Sequence, residues 1–194
     1  PRDALILPKG CKDINFQLPI GSSSKRRILQ LKKIYPNAKY KDIRGNVLTR
    51  LEKLDKGEYG AIVLAIAGLK RLGLEDRISK IFSVDEIIPS AGQGILAIQG
   101  RAEENYYFLD KFNDKNSSYE AICERAFVNE LNGGCSYPVA AYAKVNNDLI
   151  SLKGLYYDEI TGEYITDILE GNKEDAEKIG FTLGKKLRKK WNKL

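Results

Sequence analysis

From Asp13 to Leu74 short apolar runs alternate with stretches in which apolar residues recur at helical spacing, the pattern of an α/β unit. Asn15 to Ile20 reads as a strand, Ser22-Ser23-Ser24 supplies N-cap residues, and Ile28, Leu29, Leu31 and Ile34 then mark one face of a helix that stops before Pro36. A second helix follows Arg44-Gly45-Asn46, with Val47, Leu51 and Leu54 on one side. Beyond Gly57 and Gly60 the run Ala61 to Ile66 predicts a buried parallel strand.

Pro89-Ser90-Ala91-Gly92-Gln93-Gly94 breaks the periodicity and predicts a joint, followed by an apolar strand over Ile95 to Ile98. The polar stretch Asn113 to Ser118 reads as a linker. Within it Ser117-Ser118-Tyr119-Glu120 has the spacing of a capping box, opening a helix that ends near Leu131. Val139 to Val145, Leu149 to Tyr157 and Tyr164 to Leu169 then have strand character, separated by turns at Asn146-Asn147-Asp148 and Thr161-Gly162, and a last helix begins near Asn172. The expectation is an α/β domain with a mixed sheet, then a small α+β domain whose antiparallel three-stranded sheet packs on helices.

The composition narrows the chemistry. With 43% hydrophobic and 30% charged residues, the 194-residue chain falls in the globular range and is long enough for two compact units. Its longest apolar run, Ala61 to Leu69, is about half of what spans a bilayer, and no charged-then-apolar leader opens the sequence, so a cytoplasmic protein without a membrane partner is expected. The lack of methionine suggests a fragment or processed chain. There is no histidine, which removes the usual general base and commonest metal ligand. Cys11, Cys123 and Cys135 show no CxxC spacing, so no zinc site or disulfide framework is expected. Much of the net charge of +6 gathers between Lys185 and Lys193, where a solvated helix end explains it without nucleic acid.

Arginines concentrate where strands hand over to helices: Arg26 and Arg27, Arg44 and Arg50, and Arg71. In an open α/β sheet those handovers line the ligand crevice, and guanidinium forks beside helix N-termini suit carboxylates or phosphates. Cys135 follows Asn132-Gly133-Gly134 on a loop where a thiol is reachable. Cys123 shares a helical face with Phe127 and Leu131 and reads as a core residue, and Cys11 as an incidental loop thiol. From the residues alone two readings of Cys135 stay open, a functional thiol and a plain loop residue.

Five blocks, Ser22 to Arg27, Arg44 to Leu51, Ala67 to Leu74, Pro89 to Gly94 and Asn132 to Cys135, resemble the signature blocks of the hydroxymethylbilane synthase (porphobilinogen deaminase) family, in order and at similar spacing. The resemblance starts at Pro1-Arg2-Asp3-Ala4 and weakens only in the last strands and helix. It departs at Gly100, where family members often carry cysteine, and at Asn132 and Ser136-Tyr137 in the cysteine loop.

The resemblance implies a transferase of tetrapyrrole biosynthesis. It implies that Cys135 carries a dipyrromethane cofactor through a thioether, that Arg26, Arg27, Arg44, Arg50 and Ser24 bind that cofactor, and that Arg71 and Gln93 bind the substrate, porphobilinogen. It further implies that residues 1–88 are the family's second domain, similar to periplasmic binding proteins. Residues 89–112 would be a strand and helix returning to a first domain, and 113–194 the cofactor-bearing third domain. The family's catalytic aspartate would lie upstream, so no catalytic residue and no metal site is expected in this chain, which alone should be inactive and should expose Ile95, Leu96 and Ile98 to association. Two alternatives are a non-catalytic anion-binding module and a nucleic-acid-binding protein that uses the basic tail.

Overall fold

The computed structural model describes residues 1–132, 139–157 and 162–191. Its first lobe is a five-stranded mixed sheet in the order β3-β2-β4-β1-β5. The strands are β1 (Asp3–Ile6), β2 (Ile20–Gly21), β3 (Tyr40–Lys41), β4 (Ala61–Ala65) and β5 (Lys80–Ile81). Helix α1 (Lys25–Ile34) connects β2 to its parallel neighbour β3, α2 (Val47–Asp55) carries the chain on to β4, and α3 (Ile66–Arg71) follows β4. Strand β1 runs antiparallel to β4 and to β5. Apart from Asp3, the central strands β1 and β4 are apolar because both faces are covered. Ala4, Ile6, Ile62 and Leu64 point to a core shared with Leu51, Leu54 and Leu69, while Leu5, Leu7, Ala61 and Val63 point to another shared with Leu31, Phe82 and Ile87.

Both predicted helix starts in this lobe form as read. Ser24 caps α1 by accepting from the Arg27 N–H, and Asn46 caps α2 by accepting from the Thr49 N–H. The strand expected over Asn15 to Ile20 shrinks to Ile20–Gly21. Asn15 instead closes a turn, its side chain accepting from Gln17 N–H and its carbonyl from Leu18 N–H, and Pro19 has no N–H to offer a ladder.

The second lobe packs α4 (Lys115–Glu130) and α5 (Ala176–Trp191) against an antiparallel sheet of β6 (Ala140–Asn146), β7 (Leu149–Tyr157) and β8 (Tyr164–Asn172). Asn147 and Asp148 make the two-residue β6–β7 turn, with Asn147 at a φ of 55°. The start of α4 corrects the sequence reading. Asp114 caps it by accepting from Ser117 N–H at 2.6 Å, so the helix opens before the expected capping box, and the carboxyl is held below its usual range by that bond.

The helices approach closely at Gly180, where a Cβ would lie 2.2 Å from the Cys123 carbonyl oxygen and 2.9 Å from the Phe127 nitrogen. Backbone cannot step aside. Gly180→Ala should therefore lower stability by about 1–3 kcal/mol despite alanine's better helix propensity. Gly184→Ala, which crowds the Glu130 side chain and meets backbone no nearer than the Phe127 carbonyl oxygen at 3.4 Å, should cost less; chemical denaturation of the two variants checks the contrast.

Residues 95–106 form no strand, correcting the strand expected over Ile95 to Ile98, and 107–112 make a 3-10 helix rather than an α-helix. The described residues hold no partner strand for this segment, and a lone extended run is unstable in water. Leu96 and Ile98 are 73% and 65% exposed. The lobes meet through Leu29 and Ile88 on one side and Ala140 and Leu155 on the other, with Lys33 lying over the Tyr164 ring and Lys153 paired to Asp85.

Candidate anion and cofactor site

The parallel strands β2, β3 and β4 all point their carboxyl ends to one rim of the first lobe. There the chain turns into α1 and α2 through Ser24 and Asn46, whose side chains cap the first turns. The rim is therefore built as an anion crevice. Arg27 reaches it from the first turn of α1, and Arg50 from α2, with Nε donating to the Gly45 carbonyl at 2.8 Å. Arg44 is largely exposed and pairs with Asp42 at 3.5 Å. Burial lowers the Arg50 guanidinium's pKa, and the charges of Arg27 and Arg44 lower it further, so three cations share one neighbourhood. Arg27 Nε is buried without a hydrogen-bond partner.

Arg26 points the other way. It is buried, and it donates from Nη2 to Asp3 at 2.9 Å, from Nη1 to the Ile88 carbonyl at 2.6 Å and from Nε to Ser90 Oγ at 3.0 Å. Asp3 also accepts from Arg27 Nη2 at 2.8 Å. Burial pushes the Asp3 carboxyl up, yet Arg26 and Arg27 together outweigh it and hold the group below its ordinary value. Gln93 belongs to the same buried network, donating to the Arg2 carbonyl and to Asp3 and accepting from Arg26. Ser24 has its oxygen committed to the α1 cap. Arg71 ends α3, exposed and more than a turn beyond the strand-to-helix turn where the sequence pattern places it.

Of the arginines that the sequence pattern picks out, the structure brings Arg27, Arg44 and Arg50 near one another; the pattern misses Asp3, a single acid before an apolar run whose partner lies 23 residues away. Cys135 lies outside the described residues. Cys123 is fully buried; burial, with Glu124 adding to it, pushes its thiol up to about 12, so it is not a thiolate at neutral pH. Among the described residues no group of His, Cys, Asp and Glu could hold a metal ion, and no helix is long and apolar enough to cross a membrane. Two cations of the basic tail are paired, Lys186 with Asp167 and Arg188 with Glu130.

Guanidiniums at the carboxyl ends of parallel strands in a mixed-sheet lobe, joined to a small α+β lobe, define a two-lobed protein. Comparison with known proteins gives the class a family. Residues 1–107 match the family described as "Porphobilinogen deaminase, dipyromethane cofactor binding domain", and residues 118–189 match "Porphobilinogen deaminase, C-terminal domain". The chain is 56% identical over 187 residues to the porphobilinogen deaminase of Ruminiclostridium cellulolyticum, covering 96% of this chain and 64% of that protein. It is 51% identical over 189 residues to that of Acetivibrio thermocellus, covering 97% and 64%, and 43% identical over 190 residues to that of Coxiella burnetii, covering 96% and 62%. The chain belongs to the porphobilinogen deaminase family, and it spans just under two thirds of the length of these curated relatives.

Proposed function

We propose that this chain is the anion-binding and cofactor-bearing part of a cytoplasmic hydroxymethylbilane synthase, an enzyme that joins four porphobilinogen molecules head to tail with loss of ammonia at each step and then releases the linear tetrapyrrole with water. The observation that carries the reading is the convergence of Arg27, Arg44 and Arg50 at one rim, with a buried Arg27 Nε that lacks a partner. Three mutually repelling guanidiniums fit the acetate and propionate groups of a dipyrromethane held on Cys135, since carboxylates relieve the repulsion and satisfy the fork geometry. When bound, that group supplies the pyrrole carbon to which each new unit is added. Arg27, Arg44 and Arg50 neutralise its carboxylates and those of the incoming unit, Arg71 extends the basic surface toward the substrate, and Ser24 keeps the α1 N-terminus open to the crevice. Arg26 and Gln93 act from behind, by holding the rim's floor through Asp3.

The first lobe belongs with periplasmic-binding-protein-like folds. Residues 1–88 correspond to the family's second domain, 89–112 to its return to a first domain, and 113–194 to its third. In this reading the part of the relatives' length that this chain does not span contains the family's first domain, which supplies a sheet partner for Ile95 to Ile98 and the catalytic carboxylate. Asp3 cannot take that role, because both its oxygens are bound by arginines and it has no exposed surface.

Intact-mass measurement on protein from the full-length gene tests the reading. A covalent adduct that disappears in Cys135→Ser, and whose retention falls in Arg50→Ala, is the expected result. An unmodified thiol at Cys135 in active, correctly folded protein would sink it.

A further inference from the structure

The joint between the lobes is gripped from both sides. From the first lobe, Gln30 pairs with Ile88 through both its amide atoms, at 2.8 and 3.2 Å, and Arg26 holds Ile88 and Ser90. From the second lobe come two ties. The Ala141 N–H donates to the Pro89 carbonyl at 3.2 Å, and the Gly92 N–H donates to Glu124 Oε2 at 2.6 Å. The other Glu124 oxygen accepts from the Ala143 N–H at 2.8 Å, and Glu120, one turn earlier on α4, accepts from the Val145 N–H at 3.0 Å. Strand β6 is an edge of its sheet, so the amides of Ala141, Ala143 and Val145 point outward together and each needs an acceptor. Glu120 and Glu124 both close that edge, but only Glu124 also reaches the connector.

We propose that Glu124 is a positioning residue that fixes the orientation of the cysteine-bearing lobe against the arginine lobe, by tying Gly92 in the connector to Ala143 in β6. The Ala141–Pro89 bond is a single pivot and leaves rotation about itself free; the Glu124–Gly92 bond is the second point that removes this freedom. Other contacts between the lobes include an apolar, non-directional cluster and the pairs Lys153–Asp85, Lys33–Tyr164 and Arg2–Tyr142, ion and cation–π contacts that constrain orientation less than a hydrogen bond between buried groups. Helix α4 ends at Glu130, five residues before Cys135, so its aim sets where the chain that leads to Cys135 leaves the helix. The consequence for catalysis rests on the function proposed above; the orientation itself does not.

Residual dipolar couplings on the 194-residue chain test it. In the wild type one alignment tensor should fit the amides of both lobes. Glu124→Ala and Glu124→Gln should require two, the glutamine because its NH2 faces one of the two N–H groups, while Glu120→Gln, which disturbs only the Val145 amide and the Lys144 ion pair within the second lobe, should still need one. A single wild-type tensor in a folded Glu124 variant overturns the proposal. Should neither variant fold, the wild type decides. Burial raises Glu124 to about 7, the two amides and the Pro1 amine opposing and Glu120 adding to the rise. The Gly92 and Ala143 amide shifts should therefore move with one shared midpoint near that value, and separate midpoints would overturn the tie. Because the proton binds more tightly in the folded state, Glu124 contributes less stability as pH rises from the ordinary value of 4.5 to about 7, a slope that Glu124→Gln should lack. None of these readouts needs turnover, so their failure leaves the enzymatic reading intact, and loss of the Cys135 adduct leaves them intact.

Discussion

Asp3→Asn should remove about 3–5 kcal/mol of folding stability at neutral pH, read from urea or guanidinium midpoints. The carboxylate has no exposed surface and is the shared counter-ion of Arg26, itself 4% exposed, and Arg27. Asparagine keeps the shape but leaves two guanidiniums facing each other with one neutral oxygen between them. Burial and Arg27 both disfavour the charge on Arg26, and Asp3 is what opposes them. The pH dependence has a definite sign. The folded carboxyl lies below its ordinary 3.8, so its contribution is complete above that value and disappears as pH falls through the depressed one. The gap between wild type and Asp3→Asn should thus be constant down to about pH 4 and close below it. A loss under about 1 kcal/mol at pH 7 would mean the two arginines do not depend on Asp3.

Phe127→Ala should cost about 3–5 kcal/mol. The ring is fully buried between α4, α5 and the small sheet, and it lies so close on Gly154 of β7 that a Cβ there would sit 2.5 Å from its tip. The glycine floor is shaped to this ring, so truncation leaves a cavity that backbone on both sides cannot fill. Phe127→Leu, which retains most of the volume, should recover a good part of the loss. If alanine costs no more than leucine, the lobe collapses around the gap and the packing is looser than its geometry.

The helices and strands whose signals are local were legible in the sequence. Ser24 and Asn46 cap their helices within three residues, the β7 run Leu149 to Tyr157 matches its pattern end to end, and Cys123, Phe127 and Leu131 share the buried stripe their spacing indicates. Errors arose where a competing local group prevailed, as when Asp114 took the α4 cap from Ser117, or where a partner strand was needed, as at Ile95 to Ile98. In the candidate site, charge type and place on the strand-to-helix turn singled out Arg27, Arg44 and Arg50, which the structure brings near one another. Spacing could not separate Arg26, whose guanidinium is committed to Asp3, Ile88 and Ser90, from its neighbour Arg27, which also pairs with Asp3 but lies near Arg50, because one residue along a helix turns the side chain by about 100°. Asp3 and Glu124 were invisible for the same reason: each is defined by partners far along the chain, Glu124 joining amides 32 residues before it and 19 after.

The inert thiol of Cys123 has a practical use. A maleimide offered to the folded protein at neutral pH meets Cys11 on the surface and is refused by the sulfur inside the helix pair. Any label beyond the one on Cys11 can then sit only at position 135, so a second label per molecule means that this sulfur was unoccupied.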